Sequence, residues 1–134
     1  MINIGIVGSR RWTNKKKIEK AVDLLIMKYS VENICIISGG AVGADTLGKE
    51  VALEKKLKYK EYNPAHTIYN KYSAKPKDWF GKQYFVGNYF ERNTFIAESV
   101  SFLLAFIPLG ATSNGTMDTV SKAKKLNKAY KIIN

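Results

Sequence analysis

The chain has one cysteine, one histidine and three prolines in 134 residues. A lone Cys35 excludes an intramolecular disulfide and any multi-cysteine zinc site. Its place in the apolar run Ile34-Cys35-Ile36-Ile37 marks a buried inert thiol, not a nucleophile. No metal and no cofactor are expected. No apolar run reaches the roughly 18 residues that a membrane span requires, and Met1 to Val7 is too short and too early for a signal-peptide core. The expectation is a cytoplasmic protein with no membrane partner. Two nucleotide signatures are also missing. The spacing of Gly39-Gly40-Ala41-Val42-Gly43 fails G-x-G-x-x-G, and G-x-x-x-x-G-K-[ST] does not occur, so neither a standard dinucleotide-binding fold nor a P-loop NTPase is supported.

Acidic residues are few: 11 Asp and Glu stand against 22 Lys and Arg, for a net charge of +11. Such an excess points to a polyanionic partner, because clustered cations attract phosphate and raise encounter rates. The lysines, however, are dispersed as Lys15-Lys16-Lys17, Lys55-Lys56, Lys58, Lys60 and Lys124-Lys125, the pattern of solvated helix faces and not of one basic stripe. The only arginines are Arg10, Arg11 and Arg92. Their rigid fork is the better phosphate ligand, so their positions carry more information than the total charge.

With 46% hydrophobic residues, a chain of this length can bury roughly two-thirds of the surface its unfolded form exposes, enough for one domain spanning 1–134. Ile2 to Val7, closed by Gly8-Ser9, reads as a buried parallel strand. A helix capped by Thr13 or Asn14 follows, with Ile18, Ala21, Val22 and Leu25 on its apolar face. Asn33 to Ile37 is the second strand, and Ala44 to about Lys56 the second helix, with Ala44, Leu47 and Val51 as its core stripe. Lys58 to Tyr62 alternates charge with aromatic, as a half-exposed edge strand does. The aromatic and basic segment from Ala65 to about Val86 is a candidate lid, since long loops in compact domains are usually functional or mobile. Asn88 to Ser99 reads as a helix, Phe102 to Ile107 as a central strand, Thr116 to Leu126 as the last helix and Ala129 to Ile133 as the last strand. Strand and helix alternate with crossovers long enough for right-handed parallel connections. The fold class is therefore α/β, Rossmann-like and doubly wound: a mainly parallel five-stranded sheet with helices on both faces.

In such a sheet ligands bind beyond the carboxyl ends of the strands, where strand order reverses. Three loops should converge there: Gly8 to Trp12, Ser38 to Asp45, and Pro108 to Asp118. Each combines glycine with small polar residues and opens a helix, so backbone N–H groups and the positive helix end can receive phosphate. Glycine in one such loop is as well explained by a turn; three at one sheet end favour a binding site.

The motifs Gly8-Ser9-Arg10, Gly39-Gly40-Ala41-x-Gly43-Ala44-Asp45, Gly87 followed by Arg92-Asn93, and Ala105-Phe106-x-Pro108 with Ser113-x-Gly115-Thr116-x-Asp118-Thr119 occur in order over nearly the whole chain. Together they resemble the YspA-type branch of the SLOG superfamily, which includes the SMF/DprA proteins and the Lonely Guy phosphoribohydrolases. The resemblance implies a Rossmann-like fold associated with nucleotides, nucleotide-derived signals or nucleic acid. Lonely Guy enzymes carry an Arg before the last core strand and a P-G-G-x-G-T-x-x-E loop after it. Arg92 matches that Arg and Gly115-Thr116 the G-T, but Thr119 stands where the Glu belongs. Ribosyl transfer needs a carboxylate to steady oxocarbenium charge or activate water, and a hydroxyl does neither at neutral pH. Glu91 and Asp118 are the tentative substitutes, although Asp118 lies one position, roughly 100° of helical rotation, from the family's Glu.

The leading expectation is binding of a nucleotide or nucleotide-derived small molecule by Gly8, Ser9, Arg10, Trp12, Gly39, Gly40, Gly43, Asp45, Arg92, Asn93, Pro108, Gly110, Ser113, Gly115 and Thr116. A sensor, a carrier or a viral anti-defence sponge would fit that description. Hydrolysis of a nucleoside monophosphate ranks second, and DprA-like binding of single-stranded nucleic acid third, because the cations look dispersed. Pairing into a homodimer is an expectation by analogy with the superfamily. Asp45 and Asp118 are equally well read as stabilising helix N-termini, and His66 as ordinary surface. Trp12, Trp79, Tyr84 and Phe85 offer faces for stacking on a base, though core or lid packing is the commoner fate of such rings.

Overall fold

A computed structural model describes residues 1–134. Five strands, β1 (Ile2–Gly8), β2 (Ile34–Ser38), β3 (Lys58–Glu61), β4 (Phe102–Phe106) and β5 (Ala129–Ile133), form one sheet in the order β3-β2-β1-β4-β5. Every pairing is parallel. Four helices alternate with them: α1 (Lys15–Tyr29), α2 (Ala44–Glu54), α3 (Gly87–Ser99) and α4 (Asn114–Lys125). This is the α/β, doubly wound arrangement read from the sequence. The order reverses between β1 and β4, so the loops after these two strands diverge and leave a crevice between them.

The strands are almost continuously apolar because both faces are covered, and alternate residues serve different layers. Ile4 and Ile6 of β1, Ile34 and Ile36 of β2, and Leu104 and Phe106 of β4 meet Ile18, Val22 and Val51 from α1 and α2. On the other face Val7, Cys35, Ile37, Leu103 and Ala105 meet Ile96, Ala97, Val120 and Ala123 from α3 and α4. Each fully buried Ile or Leu contributes about 1.5–3 kcal/mol relative to exposure. Helix α1 starts where Asn14 caps it, its side chain accepting the Lys17 N–H at 3.2 Å.

Two regions show contacts that the sequence reading did not give. β3 is a sheet edge with Lys58 and Lys60 exposed, as expected, but Glu61 is only 3% exposed. The chain returns alongside that edge: Glu61 N–H donates to Tyr72 O and Ala74 N–H to Glu61 O. Residues 72–74 thus take up hydrogen bonds that an open edge would leave to solvent. The candidate lid is correspondingly anchored. Gly81 and Lys82 donate to the carbonyls of Thr67 and Ala65, and Trp79 and Tyr62 both pack on Phe95 of α3.

Candidate functional site

At the carboxyl edge of β1 and β4 lies a cleft of about 580 Å³, within the range of pockets that hold a small ligand. The loop after β1 supplies Gly8, Ser9, Arg10 and Arg11; the loop after β2 and the start of α2 supply Ala41 and Asp45; α3 supplies Tyr89, Arg92, Asn93 and Ile96. The far wall is Gly110 to Thr116, with Thr119 one turn into α4. Most of the residues expected from sequence therefore come together, from four separate elements.

The centre of this arrangement is a buried carboxyl and a buried guanidinium that both bond to the backbone of one glycine, Gly39. Asp45, 5% exposed, accepts the N–H groups of Gly39 at 2.9 Å and Ala41 at 3.4 Å through Oδ2. Arg92, 8% exposed, donates from Nη1 to the carbonyls of Gly39 (2.5 Å) and Tyr62 (3.3 Å) and from Nε to Asn93 Oδ1 (2.9 Å). A Cβ on Gly39 would overlap both the Arg92 guanidinium and the Asp45 carboxylate, so no larger residue fits between them. Burial pushes the Asp45 carboxyl up to about 6, against the opposing pull of Arg92 and the backbone donors. Burial also draws the Arg92 guanidinium below its ordinary value, while Asp45 supports its charge. Nη2 is the one guanidinium nitrogen of Arg92 with no protein acceptor, and it is the nitrogen left for a ligand.

Backbone proximity explains two further glycines. Gly43, at φ +91°, lets the second loop meet the first: Ala44 N–H donates to Ser9 O at 3.2 Å, and a Cβ on Gly43 would overlap Ser9 O and the Arg10 backbone. Gly8 sits where a Cβ would strike Phe106 O and Ala44 Cβ. Both glycines hold the cleft's floor together, and Gly43 does so without lining it. On the opposite side Asn93 Nδ2 reaches Gly115 O (3.3 Å) and Asp118 Oδ2 (3.1 Å), tying α3 to the first turn of α4, and Ser113 Oγ lies 2.6 Å from Thr116 Oγ1.

Several expected residues stand elsewhere. Trp12 is in the core, 5.3 Å from the Phe106 ring with its indole N–H on Asn14 O, because the first loop folds its only large apolar side chain inward. Pro108 does not line the cleft. Glu91 is exposed and outside it, since α3 turns Arg92 and Asn93 inward and the preceding residue outward. Asp118 is also outside, paired with Lys122 at 2.9 Å, while Thr119 faces the cleft. The expected 100° rotation is thus realised, and Asp45 is the one carboxylate on the cleft wall. Gly39 and Gly40 line an adjoining cleft of about 300 Å³ with Asn63, Pro64, His66 and Thr67; Arg10, Ala41, Tyr89 and Arg92 border both spaces. The sequence reading missed this second space. It lies beyond the carboxyl end of β3, where residues 62–67 include no glycine to draw attention, and His66, read as ordinary surface, is half-buried on its wall.

The family model of DNA recombination-mediator protein A matches residues 1–59, which hold the first two strands and their loops. No curated protein sequence matches. Among solved structures, DNA processing protein A (DprA) from Streptococcus pneumoniae superposes with a TM-score of 0.71 at 20% identity over 100% of this chain and 50% of its own. DprA from Helicobacter pylori, whose structure describes a single-stranded DNA binding mode, gives 0.70 at 22% identity over 98% of this chain and 64% of its own. The protein TM1055 gives 0.67 at 14% identity over 97% and 72%. This chain thus spans half to about two-thirds of the length of the DprA proteins it resembles. The likenesses bear out the SLOG, SMF/DprA-type resemblance and the Rossmann-like fold without singling out the YspA-type branch. No helix is long and apolar enough to cross a membrane.

Proposed function

We propose, taking the SLOG-type, DprA-like fold as premise, that the larger cleft binds the phosphate of a nucleotide or nucleotide-derived small molecule. The observation that carries this reading is the convergence of Arg10, which has no salt-bridge partner, and the free Nη2 of Arg92 on one polar cleft at the strand-order reversal. Hydroxyls of Ser9, Thr112, Ser113, Thr116 and Thr119 border the same space and suit phosphate and ribose oxygens. Asp45 compensates only part of the cationic charge. Thermal unfolding in the presence of mononucleotides, ADP-ribose derivatives and cyclic nucleotides tests the proposal. At least one of them should raise the melting temperature in the wild type and fail to do so in Arg10→Ala; no response to any of them at high concentration defeats it.

Single-stranded DNA is a second reading, favoured by the DprA likeness and the +11 charge. It predicts an affinity that falls steeply with salt as neutralised phosphates release counterions, and a flat salt response removes it. Nucleotide hydrolysis is left with less support, because neither Glu91 nor Asp118 borders the cleft and Thr119 does. Incubation with AMP followed by chromatography for free adenine decides it: base release that Asp45→Asn abolishes would revive the enzyme, and no release ends it.

A further inference from the structure

The second cleft differs in chemistry from the first. Beyond Gly39 and Gly40 its own wall includes Asn63, Pro64, His66 and Thr67, and it meets the larger cleft at Arg10, Ala41, Tyr89 and Arg92. The Tyr89 ring lies 5.9 Å from the Arg92 guanidinium and 5.0 Å from the His66 ring, and Tyr84 packs edge-on with His66 at 4.8 Å. Rings and a proline suit a flat, uncharged group better than a phosphate.

Asn63 adds a specific polar demand. It is 8% exposed, and its Nδ2 donates to Glu61 Oε2 at 2.8 Å. The Glu61 carboxylate also accepts from Tyr59 O–H (2.7 Å) and Asn70 Nδ2 (2.8 Å), with Lys49 at 3.9 Å. Although burial opposes it, these donors hold the Glu61 carboxyl below its usual value, so it is an ionised acceptor. An ionised carboxylate cannot donate, so the Asn63 amide is fixed with its nitrogen toward Glu61 and cannot flip. Its Oδ1 is the one buried side-chain nitrogen or oxygen in the protein without a hydrogen-bond partner. Buried acceptors are rarely left unpaired, and the missing partner must be an N–H or O–H donor.

We infer that the second cleft receives the base of the nucleotide whose phosphate occupies the first, with the base against His66 and Tyr89 and one of its N–H groups donated to Asn63 Oδ1. This rests on the phosphate reading above and sharpens it: the ligand must carry an aromatic base with a donor on its edge. Adenine, with its exocyclic amino group, meets that requirement.

Calorimetric titration with three probes separates the two claims. AMP carries the phosphate, the base and the amino donor; purine riboside 5′-monophosphate lacks the amino group; ribose 5-phosphate lacks the base. The wild type should bind AMP at least about tenfold more tightly than ribose 5-phosphate and about fivefold more tightly than the purine riboside, the scale of one hydrogen bond plus one packed ring. His66→Ala, whose side chain borders only the second cleft, should weaken AMP about fivefold and leave ribose 5-phosphate unchanged. Equal affinity for AMP and ribose 5-phosphate, unaffected by His66→Ala, overturns the base site and leaves the phosphate site standing. Equal affinity for AMP and the purine riboside overturns the Asn63 contact. Binding of none of the three defeats the phosphate reading and this inference together.

Discussion

The segment 39–45, which brings Ala41 and Asp45 to the larger cleft, is bonded to the first loop and to α3, whereas the facing segment 108–115 is held at few points. Asp45 accepts two backbone N–H groups of the first wall, Arg92 grips its Gly39 carbonyl, and Ala44 is tied to Ser9. Across the cleft Leu109 is 86% exposed, and neither Gly110 nor Gly115 has an atom within 4 Å of where a Cβ would stand. Ala111 N–H to Pro108 O and Ser113 to Thr116 are local contacts within that wall. A hydrogen-bonded half flanked by Arg10 and Arg92 thus faces a lightly held half that carries hydroxyls. In the binding role proposed above, the hydrogen-bonded wall would fix where an anion sits, and the lightly held wall would adjust to it at little cost to the fold.

Exchanging glycine for alanine in each wall exposes the contrast most strongly. Gly43→Ala introduces a Cβ at φ +91° against Ser9 O and the Arg10 backbone, and should cost about 4 kcal/mol in urea unfolding from strain and overlap combined. Gly110→Ala, at φ +79° in open space, should cost about 1 kcal/mol. Similar losses would erase the distinction between the walls.

The pH dependence of the rigid wall comes next. Asp45 titrates at about 6 in the folded protein against 3.8 ordinarily. Because its folded value is raised, its contribution to stability is fully present below pH 3.8 and is lost as pH rises through 6. Relative to Asp45→Asn, in which other titrations such as that of Glu61 cancel, the wild type should lose up to ~3 kcal/mol between pH 4 and 7. A constant difference across that range would mean that the carboxyl is not buried as described.

Arg92→Lys keeps the charge but not the fork. The sequence alone suggests an effect on ligand binding with little change in folding. The bonds to Gly39, Tyr62 and Asn93 instead predict that the substitution costs about 2 kcal/mol of stability in addition to any loss of ligand. Neutralising Lys15 and Lys16 should weaken phosphate binding far less, since they act only through a screened field. Equal losses of binding from Arg92→Lys and the lysine pair would reduce the site to net charge. The smallest stability effect belongs to the loose wall, where Ser113→Ala should change unfolding by about 0.5 kcal/mol while weakening ligand binding measurably by calorimetry.

The sheet was legible because its strands are short apolar runs separated by glycine-bearing turns, and the two-residue alternation of Ile4, Ile6, Ile34 and Ile36 against Val7, Cys35 and Ile37 matches two covered faces. The three cleft-lining loops were legible for the same reason, since each follows a recognisable strand. Trp12 was misplaced because an aromatic beside two arginines has the same local signature whether it turns in or out; only Phe106, far along the chain, decides it. The second cleft was illegible in a deeper sense. It depends on Glu61, a charged residue of a strand read as a half-exposed edge, which is buried with donors at Tyr59, Asn63 and Asn70. A buried carboxylate network of this kind leaves no periodicity, and a pairing between β3 and residues 72–74 cannot be inferred from either segment by itself.

Amide chemical-shift mapping during titration with AMP at physiological salt tests the central claim most directly. Shifts should concentrate at Ser9 to Arg11, Gly39 to Ala41 and Gly110 to Thr116, the three loops around the cleft, and should saturate with one ligand per chain. Shifts scattered over the lysine-bearing surface of α1 and the end of α4, rising without saturation, would contradict it.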